Sequence, residues 1–200
     1  MHQYSSTHNL NPLFYVSLSV LSIVCAWLLH LLLGALKLDD LWWVEFPSVL
    51  GFYGILWRWF DRRGWTVPLI RKLFRVSTPD ISGHWSAQAD TLINNQNQTV
   101  RARATIRQSW SKLKIFIDWE NSSSTSVSAA LQEVSDGEFE LIYQYINTPK
   151  ALAPTTMNIH RGTAWLNLSA DVSQMEGEYY SGRGRNRYGL LTLKRQPLEE

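Results

Sequence analysis

The sequence predicts a membrane protein in two parts. One is an N-terminal two-helix transmembrane hairpin. The other is an all-β C-terminal domain, a small antiparallel barrel of about eight strands. Three observations predict this. Leu13 to Leu36 run for 24 residues without a fixed charge. A second apolar stretch, Leu41 to Phe60, follows a short gap holding Lys37, Asp39 and Asp40. From Ile81 onward, apolar and polar residues alternate in short runs separated by turn-forming clusters.

Taken in order, the chain starts with a polar tail (1–12), expected to be loosely ordered over residues 1–11. A hydrocarbon core about 30 Å thick needs about 20 helical residues to cross it, so the first run is long enough. It does not read as a signal peptide: residues 1–12 hold no Lys or Arg, and no small-residue cleavage pattern follows. The second run is weaker. Glu45 sits near its start, and Arg58 near its end can reach the headgroups; an interfacial amphipathic helix is the competing form. Together, residues 13–60 make a hairpin with both ends on one side. A basic linker (61–79) follows. Arg58, Arg62, Arg63, Arg71, Lys72 and Arg75 against Asp61 alone place that side in the cytoplasm by the positive-inside rule. These residues also suit anionic lipid.

Within residues 80–196, the runs starting at Gly83, Val100, Leu113, Val127, Phe139, Met157, Gly177 and Tyr188 read as strands with one apolar face each. Asn94–Asn97, Asn121–Ser124, Asp136-Gly137, Thr148-Pro149 and Gly182–Gly184 read as turns. Short turns favour antiparallel hairpins, and closing the sheet removes its exposed edges. A barrel is therefore preferred to a sandwich. Its interior would be just wide enough for side chains or one small ligand, with Trp85 as a plug at the closed end.

Net charge is +2, and residues 76–200 hold twelve basic against thirteen acidic side chains. A DNA or RNA polymer binder would show a broad basic excess, so none is expected. The only cysteine, Cys25, lies in the first run, so no intrachain disulfide can form. No nucleophilic triad, metal-ligand spacing or phosphate-binding loop is recognisable. The chain therefore reads as a binding protein, not an enzyme, with no cofactor.

Two stretches have binding chemistry. Arg101, Arg103 and Arg107 share a strand face with Thr105. If that face points outward they are solubilising; if it turns toward an opening they form a ladder for phosphates. The second is Glu178 to Gly189, with Tyr180, Arg183, Arg185, Arg187 and Tyr188. Glycines there let a ligand approach the backbone, arginines offer forked donors, and tyrosines offer flat faces to bases. A decorated hairpin turn is the alternative.

Two N-terminal spans, a β-rich domain opening near Gly83-His84-Trp85, and the closing runs Glu176–Tyr180 and Gly189–Leu193 together resemble one family. It is the two-transmembrane β-barrel effectors of bacterial CBASS anti-phage systems, the CD-NTase-associated membrane barrel proteins. The resemblance covers the chain after about residue 12. It implies a barrel that binds a cyclic di- or trinucleotide made by a functionally linked nucleotidyltransferase. It also implies self-association of the spans in the inner membrane, membrane disruption and abortive-infection cell death. Side-chain chemistry alone leaves two alternatives: a tethered barrel binding a lipid or other apolar molecule, and a scaffold anchor.

Overall fold

The computed structural model describes residues 1–6, 10–37, 45–93, 96–135, 137–154, 157–182 and 188–197. The chain divides into two compact units, one of residues 1–8 and 78–200 and one of residues 9–77.

The 9–77 unit is helical. Helix α1 spans Pro12–Ala35. The Asn11 side chain caps it by accepting from Leu13 N at 3.0 Å, and Pro12 occupies the first turn, where no amide partner is lost. Helix α2 spans Glu45–Arg62. Phe14, Leu18, Ser22 and Ala26 recur every fourth residue and are the buried positions of α1. At one end of this stripe the Phe14 ring lies 4.2 Å from Phe60 and 6.3 Å from Trp57. The start of α1 thus meets the end of α2, and the pair is an antiparallel hairpin.

Most of α1's remaining side chains are large, apolar and exposed, among them Val16, Val20, Ile23, Leu28 and Leu32. Among the described helices, α1 alone is long and apolar enough to cross a membrane. The interhelical residues Asp39, Asp40, Trp42 and Trp43 lie outside the described residues. In the basic linker, a 3-10 turn at Gly64–Thr66 leads into helix α3, Pro68–Phe74. Helix α3 exposes Leu69 and Leu73.

The second unit is the barrel. Its strands are β3 (Gly83–Ile93), β4 (Gln96–Gln108), β5 (Lys112–Asp118), β6 (Ser122–Ser135), β7 (Glu138–Pro149), β8 (His160–Leu168), β9 (Gln174–Ser181) and β10 (Tyr188–Arg195). Each pairs antiparallel with its sequence neighbours, β10 pairs with β3, and β5 pairs with β6 to complete the ring. All eight runs read from the sequence are strands, in an up-and-down closed barrel. Period-two patterning produces this: Leu113, Ile115 and Ile117 point in and are buried, while Lys112, Phe116 and Asp118 point out.

Three expectations are corrected. Thr148 and Pro149 are not a turn but the last residues of β7, paired with Ser123 and Ser122 of β6. Asn121–Ser124 is not wholly a turn: β6 begins at Ser122, and Ser122, Ser124 and Ser126 face the interior. Serine clusters usually mark turns because their hydroxyls compete for backbone groups, but here the hydroxyls meet a polar interior. Residues 2–6 of the N-terminal tail are also ordered. Strands β5 and β6 share only three residue pairs, at Phe116–Asp118, and the tail fills the seam beyond them. Strand β1 (His2–Gln3) pairs with β5 at Lys112 and Leu113, and β2 (Ser5–Ser6) pairs parallel with β6 at Ala130 and Leu131.

Side chains fasten the seam. The His2 Nδ1–H donates to its neighbour Gln3's carbonyl at 3.0 Å, and its Nε2 hydrogen-bonds the Ser126 hydroxyl at 2.8 Å. Ser126 Oγ accepts from the Ile115 amide at 2.9 Å. Gln108 Nε2 donates to the Tyr4 hydroxyl at 3.2 Å.

One end of the barrel is filled. Trp85 is wholly buried with Ile81, Leu113, Leu131, Leu166, Met175 and Leu193. Its Nε1–H donates to the Ile81 carbonyl at 3.1 Å. The Arg195 guanidinium lies 5.2 Å from the ring centroid and donates to the Asp80 and Ser82 carbonyls. Trp85 is therefore the plug expected from its place in the sequence.

Candidate functional site

Along the barrel axis the interior changes character. Beyond the Trp85 plug, inward positions become small or polar: Ala87, Ala89 and Thr91 on β3, Ser122 and Ser124 on β6, Asn147 on β7, Gly162 and Ala164 on β8, and Ser181 on β9. Small residues leave space that large ones would fill. The result is a cavity of about 250 Å³, near the low end of ligand pockets, which run roughly 300–1,000 Å³.

Three tyrosines line the cavity, Tyr143, Tyr145 and Tyr179. The Tyr179 hydroxyl hydrogen-bonds Thr91, and the Tyr145 hydroxyl points to the Tyr180 carbonyl at 3.4 Å. Gly162 makes this possible: a β-carbon there would overlap the Tyr145 phenol and the Tyr180 carbonyl. Burial, with a smaller contribution from Tyr145, pushes the Tyr143 phenol well above its usual range, so its hydroxyl stays protonated as donor and acceptor. Further along the same strand as Tyr143 and Tyr145, Asn147 Nδ2 donates to Ser122 and Ser124 of the neighbouring β6 at 3.1 and 2.8 Å. Trp119 Nε1 donates to Ser124 at 3.2 Å. Trp119, Glu120, Met157 and His160 are also among the lining residues. No lysine or arginine is among the described lining residues.

The residues singled out from sequence that the structure describes lie elsewhere. Arg101, Arg103 and Arg107 are exposed on the outer face of β4, alternating with inward-facing Ala102, Ala104 and Ile106. Tyr180 is also outward, stacked on Trp165 at 5.4 Å between centroids. Its register partner Tyr188 is 67% exposed. Arg183, Arg185 and Arg187 lie outside the described residues. The cavity residues were missed because they carry no motif. Their one signal was the inward phase of β6 and β7, where serine and asparagine occupy core positions.

Fold and cavity define a class: a closed meander barrel, plugged at one end, with a small cavity of mixed polar and aromatic lining toward the other. The family follows from comparison. Residues 76–195 match the model described as "Cap15, cyclic dinucleotide receptor domain". A protein from Yersinia aleksiciae named CD-NTase-associated protein 15 is 32% identical over 148 residues, 74% of this chain and 69% of that protein. The chain belongs to the Cap15 family.

Proposed function

We propose that the barrel is a receptor for a cyclic dinucleotide in CBASS defence. In this reading the ligand is made by a partner nucleotidyltransferase, and occupancy drives assembly of the helical hairpins, disruption of the inner membrane and cell death. The observation that carries the proposal is the cavity. Its three tyrosines and Trp119 offer flat surfaces for bases, which stack for about 1–3 kcal/mol each. Its serines, Asn147 and protonated Tyr143 offer hydrogen bonds to base edges. An apolar or lipid ligand fits worse, because it would leave Asn147 Oδ1, buried and without a partner among the described residues, unsatisfied. Phosphates desolvate poorly without cations, so the bases enter first and the phosphates stay at the mouth. Arg183, Arg185 and Arg187 follow Ser181, a lining residue, in the chain, and are the proposed phosphate contacts. The role is binding, without turnover.

What supports two membrane crossings is the seam. Residues 2–6 and residues 78–200 belong to one unit, so a chain that crosses through α1 must return before residue 78. Helix α2, 18 residues long, spans about 27 Å at 1.5 Å per residue. Both termini of the hairpin are then cytoplasmic, matching the basic residues after α2. The tail also joins the barrel wall to the start of α1, and the short β5–β6 ladder beside it carries Ile117 and Ser124 of the cavity lining. A ligand that rearranges this ladder therefore acts on the strands holding the tail. Coupling needs the ligand to favour the assembled state.

The test is a thermal-shift panel of cyclic di- and trinucleotides on the full chain in detergent, followed by dye release from vesicles carrying it. A cyclic dinucleotide should raise the melting temperature and trigger release. Stabilisation by fatty acids alone would replace the receptor reading with the lipid one.

A further inference from the structure

The barrel's outer surface is sorted by charge. On β4 and β5 the outward positions hold Arg101, Arg103, Arg107, Lys112 and Lys114. The one carboxylate there, Asp118, is held by Lys150 at 2.7 Å. On β7, β8 and β9 they hold Glu138, Glu140, Glu176 and Glu178, with Arg161 as the one cation. In the ring order, β4 stands across from β8 and β5 across from β9. The two fields therefore lie on opposite sides of the barrel.

The fold does not require this arrangement. Arg107 and Lys114 are direct register partners, and like charges so placed destabilise a sheet. Among the described residues, none of these five cations or four carboxylates forms an ion pair. A surface built only for solubility intersperses the signs. Each side also carries exposed apolar area. On the acidic side Trp165 stacks on Tyr180 and pairs in register with Ile142. On the basic side Phe116, 36% exposed, pairs with Thr105. An aromatic centre within complementary charge is the anatomy of a protein interface.

We propose that the basic β4–β5 face of one copy docks on the acidic β7–β9 face of the next. The proposal rests on the assembly step of the receptor reading and supplies its contact surface. The contact is heterologous, and its two faces are opposed on one barrel, so it builds an open row instead of a closed ring. The outward arginines then meet a second copy of the chain.

Charge exchange tests this on the full chain in detergent, with association read by sedimentation. The wild type should associate at low salt and lose that association as salt rises. Arg101→Glu/Arg103→Glu/Arg107→Glu and Glu140→Lys/Glu176→Lys/Glu178→Lys should each lose association by tenfold or more alone, and regain it when mixed. Variants that associate like the wild type, or mixtures that fail to recover, would overturn the proposal. The thermal shift by the cyclic dinucleotide panel keeps the two readings apart. An equal shift in both variants shows folded barrels and leaves docking as the role of the arginines. A shift lost only in the arginine variant assigns them to the ligand and overturns docking. If no cyclic dinucleotide shifts any form, the receptor reading fails, while the salt and mixing results still decide docking.

Discussion

Replacing Trp119 with alanine should separate ligand binding from barrel stability. The side chain is half-buried, lines the cavity and makes one hydrogen bond, Nε1–H to Ser124 at 3.2 Å. Losing that bond and the ring's partial packing on the core costs about 2–3 kcal/mol of stability, a part of the roughly 5–15 kcal/mol typical of a domain. Losing a stacking surface for a base costs about 1–3 kcal/mol of affinity, or roughly 5- to 150-fold in Kd. Trp119→Phe keeps the flat face and loses the donor, so its affinity should fall by less than about tenfold. Isothermal titration of a cyclic dinucleotide into each full-length variant, with melting curves alongside, provides both numbers. A folded Trp119→Ala variant that binds within about twofold of wild type would refute base stacking at this wall.

Other expectations follow from particular contacts. Trp85→Ala, at the plugged end, should cost about 3–5 kcal/mol in denaturant unfolding, since it empties a wholly buried site and frees the Ile81 carbonyl. Tyr4→Ala should destabilise the barrel by about 2 kcal/mol through its lost bond to Gln108 and its core packing; an unchanged melting curve would mean the seam is not fastened by the tail. Gly162→Ala should cost about 1–3 kcal/mol and weaken ligand binding in calorimetry, because the new methyl displaces Tyr145. In the β8–β9 turn, hydrogen bonds from Ser169 and Ser173 lower the Asp171 carboxyl to about 2. Its folded value lies below the unfolded one, so its contribution is full above the usual carboxylate range and is lost as pH falls through about 2. A carboxyl NMR titration should show that midpoint, and a midpoint near 4 would refute the turn's hydrogen bonding.

Much of the fold was legible because patterning and geometry agree. Alternation at Leu113, Ile115 and Ile117 sets both the strand and its buried face, and eight such runs joined by short turns leave a closed meander as the simplest ring. The seam was not legible. His2, Gln3, Ser5 and Ser6 have no apolar alternation, and they are strands only because β5 and β6 part company and leave backbone groups to satisfy. The site was less legible than the fold. Arginines attract attention as phosphate donors, yet parity with Ala104 and Ile106 turns Arg101, Arg103 and Arg107 outward. The cavity depends on small residues such as Ala89 and Gly162, and on serines placed where a core residue is expected. What such residues omit becomes visible only once opposite strands are brought together.

The central claim is that the cavity holds the ligand, and filling it is the most direct test. Ala89 is 6% exposed and lines the space, so Ala89→Phe plugs it with little change outside. Calorimetry with cyclic dinucleotides should give saturable binding to the full-length wild type and none to a folded Ala89→Phe variant. Equal binding by both would place the ligand outside the barrel and contradict the account.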